Sequence, residues 1–146
     1  MNTYYNIFKC LTIGIPVRID CEEREANLLT VIKHLAVLQC HIIVLEADVQ
    51  PQIGDFHNME TVEYQFVEDT NEVFHRTHYI NRLLQMSQTE VVAVWDTDVL
   101  VDYNQIFEAL QMILHGATIS YPYDGRFVML SEELSVQTRR RIDFDY

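Results

Sequence analysis

The chain has 146 residues, of which 49% are hydrophobic and 22% charged, a composition typical of a globular domain and not of a disordered or collagen-like chain. It carries 22 acidic against 10 basic residues, a formal net charge of −12, which excludes bulk attraction to nucleic-acid phosphates. A chain this acidic binds a phosphate group only where a metal ion or a local arginine reverses the sign of the charge.

Localisation is predicted from what the sequence lacks. The three cysteines, Cys10, Cys21 and Cys40, form no CxxC pair, so we expect reduced thiols rather than disulfides. No stretch approaches the roughly 20 apolar residues of a membrane-spanning helix, and the N-terminus has no signal-peptide pattern. We therefore predict a cytoplasmic protein, and the basic run at residues 139–141 leaves a peripheral membrane association open.

Strand-like and helix-like segments alternate along the chain. Apolar, β-branched runs predict strands at residues 11–17, 41–46, 62–67, 91–95 and 117–121, the third of them near a sheet edge. Helical spacing of apolar residues predicts helices from 20 to 39, 74 to 87 and 102 to 116, and the chain from 131 reads as a polar, solvated tail. Asp20, Asp69 and Asp102 each stand three residues before Glu or Gln, which predicts a capping box before each helix.

This alternation predicts the fold and the position of a binding site. Buried strands that alternate with helices indicate an α/β protein, here a three-layer α/β/α sandwich with a mostly parallel central sheet, formed by residues 1–146 as one domain. Ligands of such sheets bind beyond the carboxyl ends of the strands. The chain has no GxGxxG and no GxxxxGK[ST] motif, which argues against a dinucleotide or P-loop site.

The sharpest candidate for chemistry is Asp96-Thr97-Asp98, directly after the strand-like run VVAVW. Two carboxylates at i and i+2 can bind one hard cation such as Mg²⁺ or Mn²⁺, and a phosphate can complete the shell. The alternative is a turn with a helix cap. A calcium-binding EF-hand loop is excluded because Val101 and Phe107 stand where Gly and Glu are required.

Three further segments carry candidate ligands. Arg76, near the start of a predicted helix, can bind phosphate or a base, or it can pair with Glu72 one turn earlier. Arg18 follows Pro16 at the end of the first strand, and Glu46 ends the second, where a carboxylate can accept from a base or a ribose hydroxyl. Trp95 reads as a core residue.

Together these motifs resemble the nucleotide-sugar-binding half of GT-A glycosyltransferases, closest to family 2-like enzymes and to the N-terminal domain of galactosyltransferases. The order is Ile15-Pro16-Val17-Arg18, then Glu46, then FHRTHYIN from Phe74 to Asn81, then Trp95-Asp96-Thr97-Asp98. The resemblance extends over about residues 11–126.

The resemblance implies a donor site for a nucleoside diphosphate sugar, most simply a UDP-sugar, and hexosyl transfer to an unknown saccharide or lipid-linked acceptor. Its implied donor-binding residues are Pro16, Arg18, Glu46, Phe74, Arg76, Asp96 and Asp98. Asp98, together with Asp96, would hold Mn²⁺ or Mg²⁺, and no catalytic base is assigned. Nucleic acid is not an expected partner.

Two departures from that family limit what is implied. Asp20 stands where galactosyltransferases have a second Arg, which puts UDP-galactose as the donor in doubt. The acceptor half of such enzymes has no counterpart after Arg126, so we expect this chain to be the donor-binding, N-terminal part of a longer protein. The alternatives are a non-catalytic α/β interaction module and a phosphotransferase similar to haloacid dehalogenases, which the absence of any Lys after Asp102 disfavours.

Overall fold

The computed structural model describes residues 6–54, 56 and 59–144, and the chain divides into two compact units, Met1–Val99 and Leu100–Tyr146. After a 3₁₀ turn at Ile7–Cys10, the first unit contains β1 (Leu11–Val17), α1 (Glu22–Ala36), β2 (His41–Asp48), β3 (Val62–Glu68), α2 (Arg76–Met86) and β4 (Val91–Val94). The second unit contains the helices α3 (Tyr103–Leu114) and α4 (Glu132–Phe144).

The strands form one four-stranded sheet in the order β3-β2-β1-β4, and every neighbouring pair is parallel. This confirms the predicted α/β class and the edge position of β3. All seven residues of β1 are buried, as are six of the eight in β2, because these two strands lie in the middle of the sheet. β4 is an edge strand and only partly buried, although the apolar run VVAVW predicts a buried strand.

The two helices of the first unit cover opposite faces of the sheet. Tyr79 and Leu83 of α2 form one core cluster with Ile43, Leu45 and Ala47 of β2. The connection through α1 leads from β1 towards β2, and the connection through α2 leads from β3 back past β1 to β4. Right-handed crossovers that run in opposite directions lie on opposite faces, so α1 covers the other face.

Two of the three predicted capping boxes are wrong. α1 begins after Cys21, which makes no side-chain capping bond, and Asp20 instead accepts from Arg24 Nε at 2.7 Å. α2 begins seven residues after Asp69, with His75 at its N-cap position and no capping bond from that side chain. Asp20 accepts from a side chain, and Asp69 accepts from the side chains of Arg18 and Tyr79 and from the backbone N–H of Asn71, which lies outside α2.

The second unit contains one confirmed boundary pair and two corrections. Asp102 caps α3 by accepting from the backbone N–H of Asn104 at 2.9 Å, and Gly116 follows the helix with a φ of 103°, as predicted. The run at residues 117–121 forms no strand, and Ile119 and Tyr121 are exposed. The predicted tail instead contains α4. None of the helices among the described residues has the length and apolar character needed to cross a membrane.

A close approach between β1 and α2 generates a stability prediction. A Cβ built on Gly14 lies 3.3 Å from both Cβ and Cδ1 of Leu83. Gly14→Ala is therefore expected to lower the free energy of unfolding by about 1–3 kcal/mol, because the helix must shift to admit the methyl group. The measurement is urea denaturation followed by circular dichroism.

Gly54→Ala is the matched control for that substitution. A Cβ on Gly54 meets no heavy atom within 4 Å, so its free energy of unfolding should change by less than about 1 kcal/mol. Equal losses in the two variants would contradict tight packing between β1 and α2.

Candidate functional site

The candidate site lies at the carboxyl ends of β1 and β4, where the strand order reverses direction. The backbone N–H of Trp95 donates to Gly14 O at 2.9 Å, so Asp96 is the first residue beyond the sheet pairing. Trp95 is buried, as predicted, and its Nε1 donates to Val99 O at 2.9 Å, which closes the turn around Thr97. Thr97 is buried, and Asp96 and Asp98 on either side are exposed.

An ion pair joins the two strongest motifs of the sequence. Nη2 of Arg76, the first residue of α2, donates to Oδ1 of Asp96 at the end of β4, twenty residues along the chain. The Arg76 side chain is 47% exposed and that of Asp96 56%, so solvent reaches both groups. The alternative partner Glu72 is not used. Asp98 makes no hydrogen bond or ion pair with any residue in the described part of the chain.

Arg18 lies beside this site, but its guanidinium is engaged within the protein. Its Nε donates to Ala47 O at 2.9 Å, its Nη1 to Asn71 O at 2.8 Å, and its Nη2 to Asp69 Oδ2 at 2.8 Å. The side chain is 18% exposed, and the guanidinium carbon lies 5.5 Å from the centre of the Phe74 ring. Arg18 therefore holds the end of β2 and the segment after β3 together.

Asp69 is the common acceptor of this segment. Its carboxylate accepts from Tyr79 Oη at 2.5 Å, from the backbone N–H of Asn71 at 2.9 Å, and from Arg18. The hydrogen bonds from Tyr79 and Asn71, with the positive charge of Arg18, lower the pKa of Asp69 to about 2. Burial and the bond to Asp69 raise the pKa of Tyr79 to about 12.

Phe74 and Arg76 line one pocket. The Phe74 ring stacks on Tyr79 with centroids 5.1 Å apart, just before α2 begins. The pocket has a volume of about 580 Å³ and is lined by Asn71 and residues 74–79. At the start of α2 the N–H groups of Arg76 and His78 already donate to Phe74 O and His75 O, so an anion in this pocket would be held mainly by the Arg76 guanidinium and the helix dipole.

Glu46 and Pro16 lie away from this open edge. Glu46 is fully buried and accepts from the backbone N–H groups of Gln52 at 2.9 Å and Ile53 at 3.4 Å, and from Tyr64 Oη at 2.5 Å. Burial and the bond to Glu46 raise the pKa of Tyr64 above its usual range. β2 continues two residues beyond Glu46, so this carboxylate does not end the strand as predicted. Pro16 is buried within β1, paired with Leu45.

Four predicted residues therefore surround the exposed edge: Phe74, Arg76, Asp96 and Asp98. Sequence reasoning missed the roles of Asp69 and Tyr79, which hold the loop before α2. The sequence does indicate a role for Asp69, because this acidic residue directly follows the edge strand β3. Tyr79 had a weaker one, since it stands four residues before Leu83 on the buried side of the helix.

The carboxylates fit one particular mode of metal binding. No group of three or more His, Cys, Asp or Glu side chains that could hold a metal ion is found among residues 6–54, 56 and 59–144. Asp96 and Asp98 offer two exposed carboxylates. Mg²⁺ is commonly held by one or two carboxylates together with waters and substrate phosphates. The residues present fit that shared shell and not an all-protein cage.

A comparison with protein-family models gives no match for this chain, and a comparison with curated proteins gives none either.

The hydrogen bond between Tyr79 and Asp69 generates a prediction about the stability of the fold at low pH. Because the folded-state pKa of Asp69 is about 2, its ionised carboxylate contributes stability above its ordinary pKa of about 3.9 and loses that contribution as the pH falls towards 2. Tyr79→Phe should raise the pKa of Asp69 and shrink this contribution. The measurement is an NMR pH titration of the Asp69 carboxyl carbon, with unfolding measured at each pH.

Tyr64→Phe is the control, because it also removes a tyrosine hydroxyl, but one that donates to a different carboxylate, that of Glu46. It should leave the pKa of Asp69 unchanged. An unchanged Asp69 pKa in Tyr79→Phe would contradict the assigned cause.

The buried carboxylate of Glu46 generates a second stability prediction. Glu46→Ala removes the acceptor of three donors, and we expect it to lower the free energy of unfolding by about 1–3 kcal/mol or more. Glu63→Ala is the control. The Glu63 side chain is 41% exposed and pairs with His41, and exposed pairs of this kind contribute at most about 1 kcal/mol. Denaturant unfolding of both variants measures the difference, and a smaller loss in Glu46→Ala would contradict a structural role.

Proposed function

We propose that the chain is the donor-binding domain of a glycosyltransferase with a GT-A fold, which binds a UDP-sugar through Mn²⁺ or Mg²⁺ for transfer of the sugar to an acceptor. The observation that carries the proposal is the ion pair between Arg76 and Asp96 at the carboxyl ends of the strands, where the strand order reverses, with the exposed Asp98 two residues after Asp96. A diphosphate needs positive charge, and a chain with a net charge of −12 has to supply it locally.

The topology supports this proposal. The strand order β3-β2-β1-β4 reverses direction between β1 and β4, and parallel sheets covered by helices bind their ligands in a crevice at such a point. Asp96 is the first residue beyond the pairing of β4, and the start of α2 lies beside it through the ion pair with Arg76. A phosphate group in this crevice would meet a helix N-terminus and a guanidinium together.

Each exposed residue has a distinct task in the proposed site. Asp98, with Asp96, would hold the metal ion, which supplies Lewis-acid stabilisation of the leaving diphosphate when bound. Arg76 would donate charge-assisted hydrogen bonds to phosphate oxygens. Phe74 would pack against the nucleoside on one wall of the pocket. Arg18 and Asp69 would act by positioning, since their polar atoms already hold the segment that carries Phe74 and Arg76.

One observation favours a second candidate, a non-catalytic α/β module that binds another protein. The polar groups of Arg18 and Glu46, both expected to contact the donor, are occupied by bonds within the fold. If the chain is such an interaction module, the ion pair between Asp96 and Arg76 has only a structural role at the surface. No observation favours the phosphotransferase alternative, because such enzymes need a later Lys and this chain has no Lys after Asp102.

Isothermal titration calorimetry with UDP, in the presence and absence of Mn²⁺, tests the proposal. Binding should require the metal. Asp98→Ala should weaken it by at least about tenfold, because losing even an outer partner of a bound metal costs 10–100-fold.

Glu90→Ala is the matched control. Glu90 is an exposed carboxylate directly before β4, at the opposite end of the strand from Asp96, and its removal should leave UDP affinity unchanged. Absence of metal-dependent binding in the unmodified chain, or equal affinities of Asp98→Ala and the unmodified chain, would support the interaction module instead.

A further inference from the structure

We propose that Arg76 and Asp96 form an exchangeable ion pair that makes diphosphate binding depend on the metal ion. Without ligand each group neutralises the other. When a metal-bound diphosphate enters, the cation takes the carboxylate of Asp96 and the guanidinium of Arg76 moves to the phosphate. This inference rests on the diphosphate site proposed above and adds the way in which that site is controlled.

The geometry of the pair suits an exchange. Its two side chains are 47% and 56% exposed, and pairs of this kind contribute little stability, typically about 0–1 kcal/mol. Breaking the pair therefore costs little free energy compared with the free energy of the new interactions that a diphosphate and a cation would make. Asp98, two residues away and also exposed, has no partner among the described residues and would be the second carboxylate of a cation that displaces Arg76 from Asp96.

The backbones that carry the pair are held in place. Trp95 holds Asp96 through its backbone bond to Gly14 and its indole bond to Val99. Arg76 begins α2, and its backbone N–H donates to Phe74 O at 3.0 Å. Tyr79 of the same helix donates a hydrogen bond to the buried Asp69, which lies before the helix. Only the two side chains have to move, so the exchange needs no change of fold.

Charge then dictates the coupling. A cation bound to Asp96 repels the guanidinium of Arg76, and an anion bound to Arg76 repels the carboxylate of Asp96. A metal-bound diphosphate satisfies both groups at once, whereas the metal alone or the anion alone must displace one partner and leave the other unpaired. Metal and diphosphate should therefore each tighten the binding of the other by the same factor.

The decisive experiment uses inorganic pyrophosphate with EDTA and follows the amide resonances of residues 76–78 by NMR. Asp96→Asn frees Arg76, whereas Asp98→Asn removes an equal charge two residues away and leaves the pair intact. We expect Asp96→Asn to bind pyrophosphate about two- to fivefold more tightly than Asp98→Asn, in line with the strength of an exposed ion pair. The double variant Asp96→Asn with Arg76→Gln should lose this gain.

A second arm titrates Mn²⁺ alone. Arg76→Gln should bind Mn²⁺ more tightly than Arg82→Gln, which removes the same charge from an exposed position on the same helix. Equal pyrophosphate affinities of Asp96→Asn and Asp98→Asn, or equal Mn²⁺ affinities of the two arginine variants, would overturn the exchange.

The outcomes separate this inference from the proposed function. If the unmodified chain shows Mn²⁺-dependent UDP binding but the two aspartate variants bind pyrophosphate equally, the donor site stands and the exchange fails. If Asp96→Asn gains pyrophosphate affinity through Arg76 but no variant binds UDP with metal, the exchange stands and the nucleotide site fails.

Discussion

The carboxylate of Asp69 is the interaction on which the exposed edge of the sheet depends. It accepts from Arg18 at the end of β1, from Tyr79 on α2 and from the backbone of Asn71 between them. The end of β1, 51 residues earlier in the chain, and α2 therefore share one buried acceptor with the loop that carries it. A buried carboxylate left without these donors would be costly, so the segments have a strong reason to stay together.

This arrangement separates residues that support the site from residues that face solvent. Arg18, Asp69 and Tyr79 use their polar atoms on one another, and Phe74 stacks on Tyr79 above the same network. Arg76, Asp96 and Asp98 remain accessible at the edge. A site that must bind a charged ligand benefits from this division, because rigid supporting side chains fix the backbone positions from which the exposed side chains reach out.

Sequence patterns were sufficient for the architecture of the first unit. The strands β1 to β4 and helices α1 and α2 were predicted within a few residues, because apolar periodicity is strong in segments that are buried in a sheet. The patterns failed where a short polar side chain had several partners to choose from. Asp20 and Asp69 both match the pattern of a helix cap. In the structure Asp20 accepts from Arg24, and Asp69 accepts from Arg18 and Tyr79. Only the tertiary structure decides such a choice.

The candidate site was predictable in part for a similar reason. Asp96, Asp98 and Arg76 were found because they follow a strand or begin a helix, and residues in those positions stay exposed. Glu46 was assigned to the strand end because the apolar run stops there, whereas backbone pairing extends β2 to Asp48 and turns Glu46 inward. Because the pairing continues two residues beyond Glu46, this residue lies within the sheet and not at the end of its strand.

The position of Trp95 has a consequence for how this molecule can be observed. It is the one tryptophan of the chain, it is 6% exposed, and it directly precedes Asp96. Its indole N–H donates to Val99 across the turn that carries both exposed aspartates. The tryptophan fluorescence of the protein therefore originates beside the candidate metal ligands. Any event that rearranges that turn should be visible as a change in emission without a label.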